Sequence, residues 1–263
     1  DAPVFECWSV AADVEAGRDA DLRWASGAGW LFAALEVDGE ACAAAQYAYE
    51  RLGAFLLARP PCHVLRLWNY LGDINHGDND DERYKAFCVG RARGMGELFA
   101  EGYPAATAIG HRSESDRLQV YCLASAVAGE RVENPRQISA WRYPRQYGPT
   151  PPSFARAMLT PKRDALAISG TASIVGHQSQ HGDDLNAQLD ETLANIQALL
   201  LSADLNGGLD QRALLKIYVR HSEHVAAVQA YLDTHAPQSQ RLLLLGDICR
   251  RELLVEIDGW RYT

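Results

Sequence analysis

The chain has 263 residues, 48% of them apolar and 22% charged, which excludes a fibre or a disordered polymer and leaves one large globular domain or two modest ones. A net charge of −9 argues against general binding to nucleic acid or an anionic membrane, since both need basic counter-charge. No apolar run approaches the roughly 18–20 residues that cross a bilayer, and the longest, RLLLLGDIC, is broken by Gly246 and Asp247.

The chain opens on Asp1, Ala2 and Pro3 with no Met and no signal-peptide pattern, so a processed protein or a fragment is expected. Six cysteines, at 7, 42, 62, 88, 122 and 249, form no CxxC pair. They read as free thiols of a cytoplasmic protein rather than as a disulfide framework or zinc site. Periodicity then gives one order of elements twice. In the first half, 29–37 is predicted as a strand, the Ala-rich 40–58 as a helix, 64–70 as a strand, 81–100 as a helix, and 106–110 with 118–127 as a strand pair. In the second half the strands are 164–176 and 213–221, the helices 183–201 and 223–235, and a closing pair runs through RLLLLGDIC and ELLVEIDGW. Leu185, Leu189, Leu193, Ile196 and Leu200 make one helical stripe, with Asp183 or Asp184 at its N-cap. This β-α-β-α-β-β order predicts an α+β protein of two units, 1–130 and 131–263, each a sheet with two helices on one face. The other face of each sheet must be buried against the second unit or another subunit.

Three segments hold residues suited to chemistry. The Pro-stiffened stretch WRYPRQYGPTPPSFAR places Arg142, Arg145 and Arg156 near Tyr143 and Tyr147, an arrangement fit to clamp a carboxylate or to be a solvated linker. SGTASIVGHQSQHGDD joins a small-residue strand to a helix start but lacks a phosphate-loop spacing. Its His177 and His181 would meet on one metal only on a helix, which Gly176 and Gly182 disfavour. In ELLVEIDG, alternation puts Glu256 and Asp258 on one side and Val255 and Ile257 on the other. Glu256 facing a pocket would be held neutral and serve as a general acid; facing water it is an ordinary strand charge. Cys249 has no identifiable His partner and reads as a pocket-lining thiol.

The strings RLWNYLGDIN (66–75), ERYKAFCVGRARGM (82–95), RYPRQYGPTPPSFARA (142–157), SGTASIVGH (169–177) and DICRRELLVEIDG (247–259) resemble the chorismatase family in order and over most of the chain. The second half also resembles the RidA/YjgF (chorismate-mutase-like) superfamily, in agreement with the duplicated order. The resemblance implies two RidA-like units, the second carrying most of the site, and cleavage of chorismate to pyruvate and hydroxybenzoate. It resembles most the bifunctional 3-/4-hydroxybenzoate type of pigment and quinone pathways; members usually carry further residues before the first repeat. It further implies Glu256 as the catalytic acid, with Tyr143, Arg145, Tyr147, Arg156 and Arg220 holding substrate. Ala172 and Cys249 would line the pocket and influence the product. No cofactor or metal is implied, and the assembly is a monomer or homotrimer. The competing expectations are a chorismate hydrolase giving a cyclohexadiene diol acid, a RidA-type imine deaminase, and a non-catalytic metabolite-binding module.

Overall fold

The computed structural model describes residues 6–59, 61–113 and 115–263. Its first half runs β1 (Glu15–Asp19), β2 (Leu22–Gly27), β3 (Trp30–Asp38), α1 (Ala41–Leu57), β4 (His63–Gly72), α2 (Arg83–Met95), β5 (Ala105–His111) and β6 (Arg117–Ser125). The second begins with β7 (Glu130–Val132), β8 (Ala157–Leu159), β9 (Ala165–Thr171) and the small hairpin β10 (Ile174–Val175) and β11 (Gln178–Ser179). It continues with α3 (Leu185–Ser202), β12 (Ala213–Val219), α4 (Val225–His235), β13 (Gln240–Leu245), β14 (Asp247–Ile248) and β15 (Val255–Tyr262).

The two halves share one topology. The first sheet is ordered β1-β2-β3-β6-β4-β5, and the second, read from its other edge, β7-β8-β9-β15-β12-β13. In both, the last strand lies antiparallel beside the first core strand, and the strands that flank the second helix are parallel neighbours. The antiparallel pairs β1–β2 and β7–β8 precede each repeat and are additions to the expected order; EAGRD and ERV are too short and polar to show a strand period. RLLLLGDIC is not one strand. Gly246 breaks it, and β14 crosses to pair with β5, where Asp247 faces Gly110 and Ile248 faces Ile109, so the second half supplies the last strand of the first sheet.

Local chemistry accounts for the helices. Glu40 caps α1 through the backbone N–H groups of Cys42 and Ala43, and Asp184 caps α3 through that of Ala187. Gly90 lets α2 lie directly on α1, since a Cβ there would sit 1.9 Å from the carbonyl oxygen of Cys42. Each helix pair covers one sheet face, and Leu189, Ile196 and Leu200 of α3 are fully buried against Val255 and Ile257. The opposite faces meet each other through Leu65, Trp68, Met158, Ala167 and Trp260, with Tyr70 and Tyr121 beside them. Of the two expectations for each sheet's second face, burial against the other unit or against another subunit, this chain shows the first.

Candidate active site

β15 carries the site because its alternation divides apolar from acidic residues. Val255 and Ile257 enter the helix-side core, while Glu256 and Asp258 turn toward the first sheet. Glu256 is 5% exposed and faces a cavity of about 260 Å³ between the two halves. Burial pushes its carboxyl from 4.5 up to about 8, the charge of Asp258 adds to the rise, and Arg66, Arg220 and Arg250 oppose it. At neutral pH most of it is therefore the acid form, a proton donor in a cleft. Room for the carboxyl comes from Gly170 on the neighbouring strand β9, where a Cβ would lie 2.0 Å from Glu256 Oε1.

The repeat shows where this acid came to differ from its counterpart. Glu256 stands opposite Tyr218 in the β12–β15 pair, as Tyr121 stands opposite Trp68 in the β4–β6 pair. RLWNY of β4 matches KIYVR of β12, so Tyr121 holds in the first half the position Glu256 holds in the second. Tyr121 is packed on Trp68 with ring centroids 4.9 Å apart, and only the second half presents a carboxylic acid at this place.

Four guanidinium groups line the same cavity, those of Arg91, Arg156, Arg250 and Arg251, the last bound to the carbonyls of Asn75 and Gly77. Arg91 of α2 and Arg156 are 4% and 3% exposed. Arg91 Nε and Nη2, Arg156 Nε and Arg250 Nη2 are buried without a hydrogen-bond partner among the described residues. Buried donors of this kind are costly unless an acceptor meets them, which makes the cavity a seat for an anion. Their other contacts fix them. Arg156 Nη2 donates to the carbonyl of Ile138 and to the hydroxyl of Tyr143, both at 2.7 Å. Arg250 donates to the carbonyl of His177 at 2.9 Å and stacks 4.0 Å from the Tyr147 ring centre. Tyr143 and Tyr147 thus line the cavity and also hold the arginines in it.

Ala172 and Cys249 lie on the cavity wall, and burial pushes the Cys249 thiol well up, so it is a neutral lining group. Arg145 and Arg220 stand elsewhere than expected. Arg145 opens the short turn Arg145–Tyr147, which sends Tyr147 inward and Arg145 outward into a paired contact with Asp80 at 2.8 and 2.5 Å. Arg220 is buried behind the cavity wall, donating to the carbonyls of Leu253, Ile248 and Arg250 at 2.7–2.9 Å, so it braces the loop that carries Cys249 and Arg250. His177 accepts or shares a hydrogen bond with the Tyr147 hydroxyl at 3.2 Å, while His181 lies 3.4 Å from Glu191.

Arg91 and Arg250 were not singled out from the sequence. Arg91 carried a readable signal: it follows Phe87 by four and Cys88 by three on the buried side of α2, a charge in an apolar stripe. Arg250 had none, since RR in a polar loop is ordinary. Two fully buried amides of α3 also escaped notice. Gln188 accepts from Leu254 N and donates to the Glu252 carbonyl, and Asn195 donates to the carbonyls of Ala172 and Ile174, so α3 holds both cavity-lining segments by their backbones.

An α+β duplication thus encloses one cavity in which a proton-bearing carboxylic acid meets a cluster of arginines. Residues 6–124 match the family model described as chorismatase FkbO/Hyg5-like, N-terminal. Over 98% of the chain, and 81% of the relative, it is 35% identical to a 3-hydroxybenzoate synthase of Streptomyces hygroscopicus. It is also 35% identical to a chorismatase of Streptomyces rapamycinicus, over 98% of this chain and 82% of that one. A crystal structure of a chorismatase superposes with a TM-score of 0.84 at 32% identity, covering 94% of this chain and 79% of the other. The chain belongs to the chorismatase family.

Proposed function

We propose that the protein cleaves chorismate to pyruvate and hydroxybenzoate, with Glu256 as the proton donor. The observation that carries this reading is the buried, proton-bearing Glu256 facing the unpartnered donors of Arg91, Arg156 and Arg250 in one cavity. Chorismate has two carboxylates and an enol ether. The carboxylates match forked guanidinium donors, and the enol ether breaks only after its methylene carbon is protonated.

The step balances without a cofactor. Glu256 gives its proton to the methylene carbon, leaving an oxocarbenium-like carbon beside the new carboxylate of Glu256, which stabilises it. The bond from ether oxygen to ring then breaks, and its electrons complete the pyruvate carbonyl. The neighbouring ring hydroxyl bonds to the vacated carbon, its bond to the carbon that first carried it breaks, and that carbon gives up its hydrogen as a proton as the ring becomes aromatic. One proton is consumed at the methylene and one returned by the ring, so substrate and products contain the same atoms. Proton transfer of this kind contributes about 10²–10⁴ in rate, and the arginines supply the remainder by holding the enol ether against the acid.

In this reading Tyr143, Tyr147 and Arg156 contact substrate as expected, Arg91 and Arg250 join them, and Arg145 and Arg220 act from outside. Ala172 and Cys249 shape the cavity around the ring and so bear on the partition between 3- and 4-hydroxybenzoate. Residues from both halves, 1–130 and 131–263, complete one cavity within one chain, which supports a working monomer. The free cysteines suit a cytoplasmic setting, and no helix among the described residues is long and apolar enough to cross a membrane. The test is incubation with chorismate and chromatography of the products. Equimolar pyruvate and hydroxybenzoate are expected. A cyclohexadiene diol acid in place of the aromatic product would make the chain a hydrolase, faster decay of 2-aminoacrylate without pyruvate from chorismate would make it an imine deaminase, and binding without turnover would make it a metabolite-binding module.

A further inference from the structure

The acid in this cavity is surrounded by cations, which should strip its proton. Arg250, Arg220 and Arg66 all favour the carboxylate of Glu256. The groups around it are, on its own strand, Asp258; from β12, Tyr218, and just after it Arg220; from β4, Arg66; from the loop before β15, Cys249, Arg250, Arg251 and Glu252; from α2, Tyr84, Lys85 and Arg91, with Glu82 just before it; from the segment leading into β8, Tyr143, Tyr147 and Arg156; and from β5 and β9 the uncharged Thr107 and Gly170. Of the acidic groups among them, Asp258 shares the strand of Glu256, and its charge adds to the rise.

Asp258 is fully buried, two residues from Glu256 on the same face of β15, about 7 Å along the strand at 3.3–3.4 Å per residue. It is ion-paired to the equally buried Arg66 at 3.0 Å, lies 3.8 Å from Lys216 Nζ, and accepts from the Tyr218 hydroxyl at 3.3 Å. Lys216 is in turn bound by Glu6 at 3.1 Å. Arg66 also donates to the Thr107 hydroxyl, beside the Glu256 carboxyl. The cation nearest the acid from the first sheet is thus tied to a carboxylate before it can tie Glu256.

We propose that Asp258, clamped by Arg66, is a positioning residue of the reaction: its fixed negative charge keeps Glu256 in the proton-carrying form between turnovers. Asp258 does not touch the cavity and transfers no proton itself. The inference rests on Glu256 being the proton donor. It goes further by naming the group that makes a donor possible among so many arginines.

The charge of Asp258, apart from its shape, is what the experiment isolates. In the full-length protein, kcat/KM for chorismate is measured against pH for wild type, Asp258→Asn, Asp258→Glu and Lys216→Met, with Glu256→Gln as reference. Wild type should lose activity above about pH 8 as Glu256 ionises. Asp258→Asn should move this limb down by about one pH unit or more, whereas Asp258→Glu, which restores the charge, should bring it back toward wild type. Lys216→Met, at a mostly buried side chain outside the cavity, removes a cation that partly offsets Asp258 and should move the limb up. It provides the answer where Asp258→Asn does not fold. A limb that stays in place in Asp258→Asn, or in Lys216→Met where the Asn variant does not fold, overturns the inference while Glu256→Gln remains inactive. Full activity of Glu256→Gln would instead remove the reading beneath it.

Discussion

Gly170 and Glu256 face each other across the β9–β15 pair at a separation that admits no side chain on β9: a Cβ on Gly170 would lie 2.0 Å from Oε1 and 2.9 Å from Cδ of the acid. The strand around it is Ser169, Gly170, Thr171 in extended conformation, so the glycine serves clearance rather than an unusual backbone angle. Thr107 Cγ2 lies 3.3 Å from the same point. Gly170→Ala should fold, because alanine suits a strand at least as well, yet displace the carboxyl. A shift of about 1 Å in a reacting group costs on the order of 10²-fold. The expected result is a fall of that size in kcat with the melting temperature held within a few degrees, read from steady-state pyruvate release and a thermal melt. Wild-type kcat would show that the acid has room to spare.

The stability of the wild-type protein should carry the mark of the same group. The Glu256 carboxyl is raised from 4.5 to about 8 by burial, so below about pH 4.5 it is protonated in both folded and unfolded chains and contributes no pH dependence. Between those values the unfolded chain releases the proton and the folded one keeps it, which favours unfolding progressively as pH rises. Glu256→Gln removes this loss. Its melting temperature should match wild type near pH 5 and exceed it by several degrees near pH 8.5, while kcat drops by about two orders of magnitude or more and substrate binding persists. Parallel melting curves across that range would place the proton elsewhere.

How far the sequence carried the reading depends on what kind of order a residue belongs to. The duplicated element order was legible because each repeat keeps full strands and amphipathic helices, and the alternation in LLVEIDG put Glu256 and Asp258 opposite the core side. Whether that side met water or a cleft depended on how the two sheets pack, which no periodicity encodes. Arg145 and Arg156 look equivalent in the string RYPRQYGPTPPSFAR. Only the turn at 145–147 decides that one points to Asp80 and the other lies buried beside Tyr143. The leucine stripe of α3 hid Gln188 and Asn195, whose partners are backbone carbonyls distant in sequence, such as those of Glu252 and Ala172.

The placement of Arg145 outside the cavity and of Arg91 within it is open to a direct comparison. Arg145 is largely exposed and bound to an exposed Asp80, an arrangement that water and salt weaken. Arg91 is buried at the cavity, with two donors that have no partner among the described residues. Arg91→Met keeps the stem that packs in α2 and removes the fork, so KM for chorismate should rise by an order of magnitude or more, with kcat falling as the substrate loses its alignment. Arg145→Ala should leave both constants within about twofold. The opposite ranking would return the clamp to the 141–156 turn.

Arg220 calls for a different kind of readout, since it binds protein rather than substrate. Its guanidinium satisfies the carbonyls of Leu253, Ile248 and Arg250, and also meets Asn75 Oδ1 at 3.0 Å and Asp247 at 3.3 Å, so it ties the 248–253 loop to the first half of the chain. Burial lowers its affinity for the proton, yet the nearby Asp247 offsets this, and it stays charged at any working pH. Arg220→Met would leave three carbonyls behind the cavity wall without their donor, at about 1–3 kcal/mol for each that water does not reach. The melting temperature should fall by ten degrees or more. Because the loop also carries Cys249 and Arg250, the surviving folded protein should release a different ratio of hydroxybenzoates. A variant that is as stable as wild type and binds chorismate more weakly by tenfold or more would place Arg220 on the substrate after all.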